Sequence, residues 1–135
     1  MFELSASGDY GLMLLSHLAK SPQDQYIKLS EVAKLHGLPV KYMEKVARQL
    51  AKAKIITSKE GKSGGYKLSK VPGKIKLNII LEALEDKVEP ILCSQGCSSC
   101  DRQSACEQKT GWKKIHKQFY SMTKKISLAD LIANQ

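Results

Sequence analysis

The 135 residues predict a mainly α-helical chain with one small β-hairpin, in which a compact helix-turn-helix unit is followed by a long helix near the C-terminus. Three observations lead there. Apolar residues recur at three- and four-residue steps between residues 10 and 50; a turn rich in Lys and Gly joins two short β-prone runs between 55 and 69; and apolar residues return at heptad spacing from 112 to 126.

The first helix is read from SGDYGLMLLSHLAK (7–20), where Tyr10, Leu14, Leu15 and Leu18 share one side, and SPQDQ (21–25) follows as a loop. In the next stretch Ser30 is placed to N-cap a short helix with Val32, Ala33 and Leu35 on its apolar side, and Gly37 can close it. Pro39 suits the first turn of a second helix, along which Val40, Met43, Val46, Ala47 and Leu50 recur. Two helices separated by a tight glycine turn form the helix-turn-helix pattern.

IITS (55–58) and GYKLS (65–69), joined by KEGKSG, read as a hairpin. A basic hairpin directly after a helix-turn-helix is the winged-helix arrangement, so residues 1–75 are assigned to a winged helix-turn-helix domain. VPGKIK (71–76) reads as a linker, and LNIILEALED (77–86) as a helix presenting Leu77, Ile80, Leu81 and Leu84, within a connecting segment 76–90. A cysteine loop occupies 91–108. The remainder, 109–135, holds the long helix, whose Trp112, Ile115, Phe119, Met122 and Ile126 form an a/d seam. With one small core in the chain, that seam is assigned as a dimerisation helix. Ser127 and Asp130 then form a capping pair for a last short helix.

Charge suggests the partner. The chain carries 22 Lys+Arg against 13 Asp+Glu, a formal +9, and +7 of it falls in residues 1–75. Such an imbalance favours a polyanion. In a helix-turn-helix the second helix enters the major groove, which puts Lys41, Tyr42, Glu44, Lys45 and Arg48 toward DNA. Lys41 and Lys45 suit guanine edges or phosphates, and Glu44 can accept from a cytosine amino group. Lys59, Lys62, Ser63 and Gly64 of the wing are placed over the backbone or minor groove. Two-fold pairing would set two such helices on successive major grooves, so the expected partner is a palindromic double-stranded DNA operator.

Enzymatic function is not expected: His17, His36 and His116 lie on helical stretches with no nucleophile pattern nearby. No apolar run is long enough to span a membrane, and no signal peptide is recognisable, so the expected location is the cytoplasm. In that reducing compartment four cysteines within 14 residues, CSQGCSSCDRQSAC (93–106), point away from structural disulfides toward metal binding or redox chemistry.

PVKYMEKVARQLAKAKIITSKEGKSGGYKLSK, the cysteine loop before a Trp-led helix, and ISLADLIANQ occur in that order, and together they resemble the Rrf-two family of bacterial winged-helix regulators over nearly the whole chain. The resemblance implies a homodimeric transcription factor, commonly a repressor, that responds to iron-sulfur status, redox state or nitric oxide through an iron-sulfur cluster. It implies three cysteine ligands, matched here by Cys93, Cys100 and Cys106. The preferred cluster is 2Fe-2S, with 4Fe-4S as the alternative.

Three departures bear on this. The family's histidine ligand three residues after the last cysteine is replaced by Lys109, whose charged ammonium has no lone pair to give. Other members use an aspartate at the start of the first helix, supplied by the other subunit, and Asp9 matches that position; its plain alternative is a first-turn carboxylate favoured by the helix dipole. Cys97 is an extra thiol that can replace Cys93 or complete a four-cysteine set, and Glu107 and His36 are remoter candidates. Finally, Glu60 stands where family wings often carry arginine.

The residues also allow other readings. Four thiolates suit tetrahedral zinc, although C-x3-C-x2-C-x5-C is not a pair of C-x2-C knuckles. A constitutive repressor with a structural zinc site, or a thiol switch without metal, therefore stands as the alternative function.

Overall fold

The computed structural model describes residues 4–85 and 105–133. Helix α1 (Ala6–Lys20) begins at Ser5, whose hydroxyl accepts from the Gly8 N–H at 3.1 Å. Leu14, Leu15 and Leu18 bury one face of it. After the loop, Ile27 makes a bridge with Tyr66, and α2 (Leu29–His36) follows. It starts before Ser30, so Lys28 holds the cap position and gives no side-chain hydrogen bond. The physical reason lies on both sides of Lys28: the bridge fixes Ile27 in extended backbone, and Leu29 is drawn into the core. Gly37 closes α2 at φ 65°, a left-handed conformation that glycine adopts without a Cβ penalty.

Helix α3 (Val40–Lys52) follows Pro39, which sits at the cap. Met43, Val46, Ala47 and Leu50 are buried, matching the apolar period of the sequence. The wing is β1 (Ile56–Lys59) paired antiparallel with β2 (Gly65–Leu68), in register Ile56 with Leu68 and Lys59 with Gly65. The stretch expected as a linker contains a 3-10 turn, Pro72–Lys74, and is anchored by buried Ile75. Ile75 accepts from the Leu128 N–H at 2.8 Å, and the Leu77 N–H donates to Ile126 at 2.9 Å.

Helix α4 (Leu77–Leu84), long α5 (Lys109–Lys125) and short α6 (Leu128–Ile132) complete the described elements. Ser127 and Asp130 form the expected capping box. The core continues beyond residue 75: Ile80, Leu84 and Leu128 join the cluster built on Leu14, Leu15, Val46 and Leu50. No described helix is long and apolar enough to cross a membrane.

Candidate nucleic-acid interface and cysteine segment

The face of α3 opposite its buried residues is the candidate reading surface. Lys41, Glu44, Lys45 and Arg48 stand at i, i+3, i+4 and i+7, and all four are exposed, while Met43, Val46, Ala47 and Leu50 hold the other face in the core. The stripe is therefore fixed in direction by packing and free in its side chains.

Tyr42 is placed differently. Its hydroxyl lies 3.1 Å from the Ser7 hydroxyl, its ring meets Tyr10 edge-on at 5.1 Å, and the Lys45 ammonium sits 5.6 Å from the ring centre. In this position Tyr42 joins the start of α3 to the N-terminal turns of α1. In the wing, Lys59, Glu60, Lys62 and Ser63 are exposed, whereas Gly64 is buried against the backbone of Lys59, where a side chain would collide. Sequence reading missed Tyr26 and Lys67. The ammonium groups of Lys59 and Lys67 lie 5.7 and 4.9 Å from the Tyr26 ring, so Tyr26 supports the flank of the wing. The signal available was YIK (26–28), whose central residue pairs with Tyr66.

Of the expected cysteine ligands, Cys93 and Cys100 lie outside the described residues, as does Cys97. Cys106 is described, just before α5, with an exposed free thiol. Asp9 is an exposed carboxylate in the first turn of α1 and borders a cleft of about 430 Å3 that also takes in Leu12, Met13, His17 and His36. His36 places its ring edge-on to His17 at 5.6 Å, and Glu107 is exposed beside Cys106. Among the described residues no three His, Cys, Asp or Glu side chains gather into a metal-binding group.

The segment that holds the cysteines is nevertheless tied to the reading surface at its start. Glu85, the last described residue before it, accepts from the Ser5 N–H at 3.0 Å and from the Ser5 hydroxyl at 2.9 Å. Gly8 permits this approach, since a Cβ there would overlap the Glu85 carboxylate. At the far end, α5 packs on α4: the Tyr120 hydroxyl donates to Glu82 at 2.6 Å, and this bond to a carboxylate pushes the Tyr120 hydroxyl pKa above the usual phenol range.

A helix-turn-helix with an exposed basic stripe and a hairpin wing defines a winged-helix DNA-binding protein, and nothing in it builds a catalytic centre among the described residues. Comparison with known proteins agrees. The sequence profile of the Rrf2 family, described as an iron-dependent transcriptional regulator, matches residues 4–134, and the chain belongs to that family. It is 32% identical over 130 residues to Protein rrf2 of Nitratidesulfovibrio vulgaris, covering 96% of this chain and 87% of that one. It is 27% identical over 132 residues to the HTH-type transcriptional regulator IscR of Yersinia pseudotuberculosis, covering 98% and 80%. Among solved structures it resembles the oxidized form of Staphylococcus aureus CymR, with a TM-score of 0.75, 25% identity, and coverage of 97% and 96%. The protein is a transcriptional regulator and not an enzyme.

Proposed function

We propose that this regulator works as a homodimeric, cytoplasmic repressor whose affinity for a palindromic operator follows the state of an iron-sulfur site held by Cys93, Cys100, Cys106 and Asp9 of the partner subunit. The observation that carries the reading is the Ser5–Glu85 link, which fastens the start of the four-thiol segment to the helix that also holds Tyr42 of the recognition helix.

The donor set fits such a group chemically. Thiolates are the usual ligands of iron-sulfur clusters, and Cys106 offers an exposed thiol while Asp9 offers an exposed carboxylate. A bound cluster supplies a centre whose oxidation or loss is sensitive to oxidants, nitric oxide and iron supply. Asp9 would be the weaker, exchangeable donor among thiolates, and Lys109 cannot take a ligand's place while charged. Glu85 holds the near end of the segment on α1. Ser7 and Tyr42 carry any shift of α1 into the first turn of α3, where Lys41 and Lys45 stand. A coupling of about 1–3 kcal/mol between the two sites would change operator affinity about 5- to 150-fold.

Dimerisation is proposed through α5. Ile115 and Met122 remain 45% and 47% exposed, on the seam that the heptad spacing defines.

A second reading is a thiol switch without metal. It is favoured by the exposed, unbridged Cys106 and by the likeness to a CymR structure described as an oxidized form. Anaerobic purification with iron and sulfide analysis, visible absorbance and electron paramagnetic resonance separates the readings. Stoichiometric iron and sulfide with cluster bands is the expected result, and the reduced spectrum distinguishes 2Fe-2S from 4Fe-4S. Colourless protein after anaerobic reconstitution, losing operator binding on oxidation and regaining it with dithiothreitol, would support the switch. Bound zinc with no response to oxidant would leave a constitutive repressor.

A further inference from the structure

The C-terminal turn of α3 carries a residue that its backbone disfavours. The Lys54 N–H donates to Ala51 and the Ile55 N–H to Leu50, each at 3.0 Å, which is the paired hydrogen bonding of a Schellman turn. Its left-handed position ordinarily goes to glycine, yet here it is Lys54, at φ 61°, the one non-glycine residue with positive φ among the described residues. The surrounding bonds do not call for lysine. The Ser69 hydroxyl donates to the Lys54 and Ile55 carbonyls at 2.6 and 2.8 Å, and glycine offers the same carbonyl. A disfavoured backbone retained at an exposed position turns attention to its side chain.

Lys54 lines a concavity of about 310 Å3 together with Lys70, Lys74 and Lys76. Ile55 and Ile75 lie beneath it, each nearly fully buried, and half-exposed Ile79 stands at its side. No acidic residue lines it. Lys76 also faces Asp130, but among the described residues Lys54, Lys70 and Lys74 have no carboxylate partner. The dipole of α3 favours a cation just past its end. It offers nothing to Lys70, beyond the end of β2, or to Lys74, in the 3-10 turn. Four like charges around one hollow repel each other, and an anion placed among them relieves that repulsion. The hollow lies at the base of the wing, at the opposite end of β1 and β2 from the Lys62 turn.

We infer that this hollow is a binding site for a small phosphate-bearing anion of the pyrophosphate or nucleoside polyphosphate class. The ammonium groups of Lys54, Lys70, Lys74 and Lys76 pair with phosphate oxygens, and the isoleucine floor receives any uncharged part. Because α3 ends and both wing strands are rooted here, occupancy bears on how recognition helix and wing are held together.

Calorimetric titration of the full chain with sodium pyrophosphate, and separately with adenosine triphosphate, at fixed ionic strength tests this. Saturable binding of one anion per chain is expected, weakened at least tenfold by Lys54→Gly and by Lys74→Ala but unchanged by Lys124→Ala. The urea midpoint of Lys54→Gly should equal or exceed that of the parent, since glycine relieves the backbone. Tighter binding of the nucleotide would mark use of the apolar floor, and equal binding a site for the polyphosphate alone; either supports the inference. Absence of saturable heat, or affinity indifferent to both variants, overturns it. Competition of pyrophosphate with operator duplex, with Lys54→Gly weakening both alike, would make the hollow a DNA contact and overturn it too.

Discussion

Ser5 and Glu85, 80 residues apart, are joined by two hydrogen bonds to one carboxylate oxygen, 3.0 Å from the backbone N–H and 2.9 Å from the hydroxyl. The cap of α1 and the entry to the cysteine segment therefore move together. Glu85→Ala is expected to lower stability by about 1 kcal/mol, the net worth of such a bond at a partly exposed site. It should also leave operator affinity less responsive to oxidation or metal loss than in the parent. Urea unfolding and DNA-binding titrations, each with oxidised and reduced protein, check the two parts.

On the exposed stripe of α3, Lys41→Ala and Lys45→Ala should each weaken operator binding while leaving the urea midpoint nearly unmoved, since neither side chain is in the core. If each touches a phosphate, the slope of log affinity against log salt falls by about 0.9 per substitution. Fluorescence anisotropy at several salt concentrations measures both effects. An unchanged slope with relaxed sequence preference would assign the lysine to a base edge instead.

How much of this surface could be read beforehand differs from residue to residue. Met43, Val46, Ala47 and Leu50 announced the buried face of α3, because burial and helical period coincide there. The Ser127–Asp130 capping box was legible for a similar reason: both partners lie within one turn. The bond between Tyr42 and Ser7, the approach of Glu85 to Gly8, and the meeting of Lys54 with Lys70 and Lys74 were not. These join residues far apart in the chain, and no local period encodes which turn of one helix meets which turn of another. The start of α2 was misjudged by the same rule, since a bridge from Ile27 to Tyr66 outweighed the capping preference of Ser30.

Capping can be tested directly. Ser127 is buried, its hydroxyl and N–H both meet Asp130, and α6 carries Leu128 into the core. Ser127→Ala should cost about 1 kcal/mol. The bonds from Ser127 hold the Asp130 carboxyl below its ordinary range. A carboxylate with a depressed folded pKa stabilises the fold above its unfolded pKa and loses that contribution as pH falls through the folded value. Asp130→Asn should therefore flatten the acid limb of a stability-against-pH curve measured by urea unfolding.

His17 behaves in the opposite chemical sense but with the same pH direction. Burial, then the neighbouring His36, holds its pKa below the ordinary imidazole value of 6.5; Lys20 adds to this and Glu31 opposes it. The fold thus prefers neutral His17. Stability is complete above about pH 6.5, where the unfolded chain is also neutral, and declines as pH falls below it, because the unfolded chain then binds the proton more readily. His17→Gln should remove this part of the decline between about pH 6.5 and 5. A slope retained in His17→Gln and lost in His36→Gln would move the effect to the partner ring.

The exposed seam of α5 gives the test of assembly. Tyr120 and Thr123 face the chain's own body, Tyr120 bonding to Glu82 and Thr123 buried, while Ile115 and Met122 turn outward between charged neighbours. Ile115→Glu places a charge at the middle of the proposed interface without touching the core of the monomer. Sedimentation equilibrium should then show a monomer where the parent is a dimer, with the urea midpoint of the variant no longer rising with protein concentration. Operator affinity should fall steeply while binding to a half-site persists, because the recognition helix is intact but no longer paired with a second one. A dimer that survives Ile115→Glu would mean that the two chains meet on another surface.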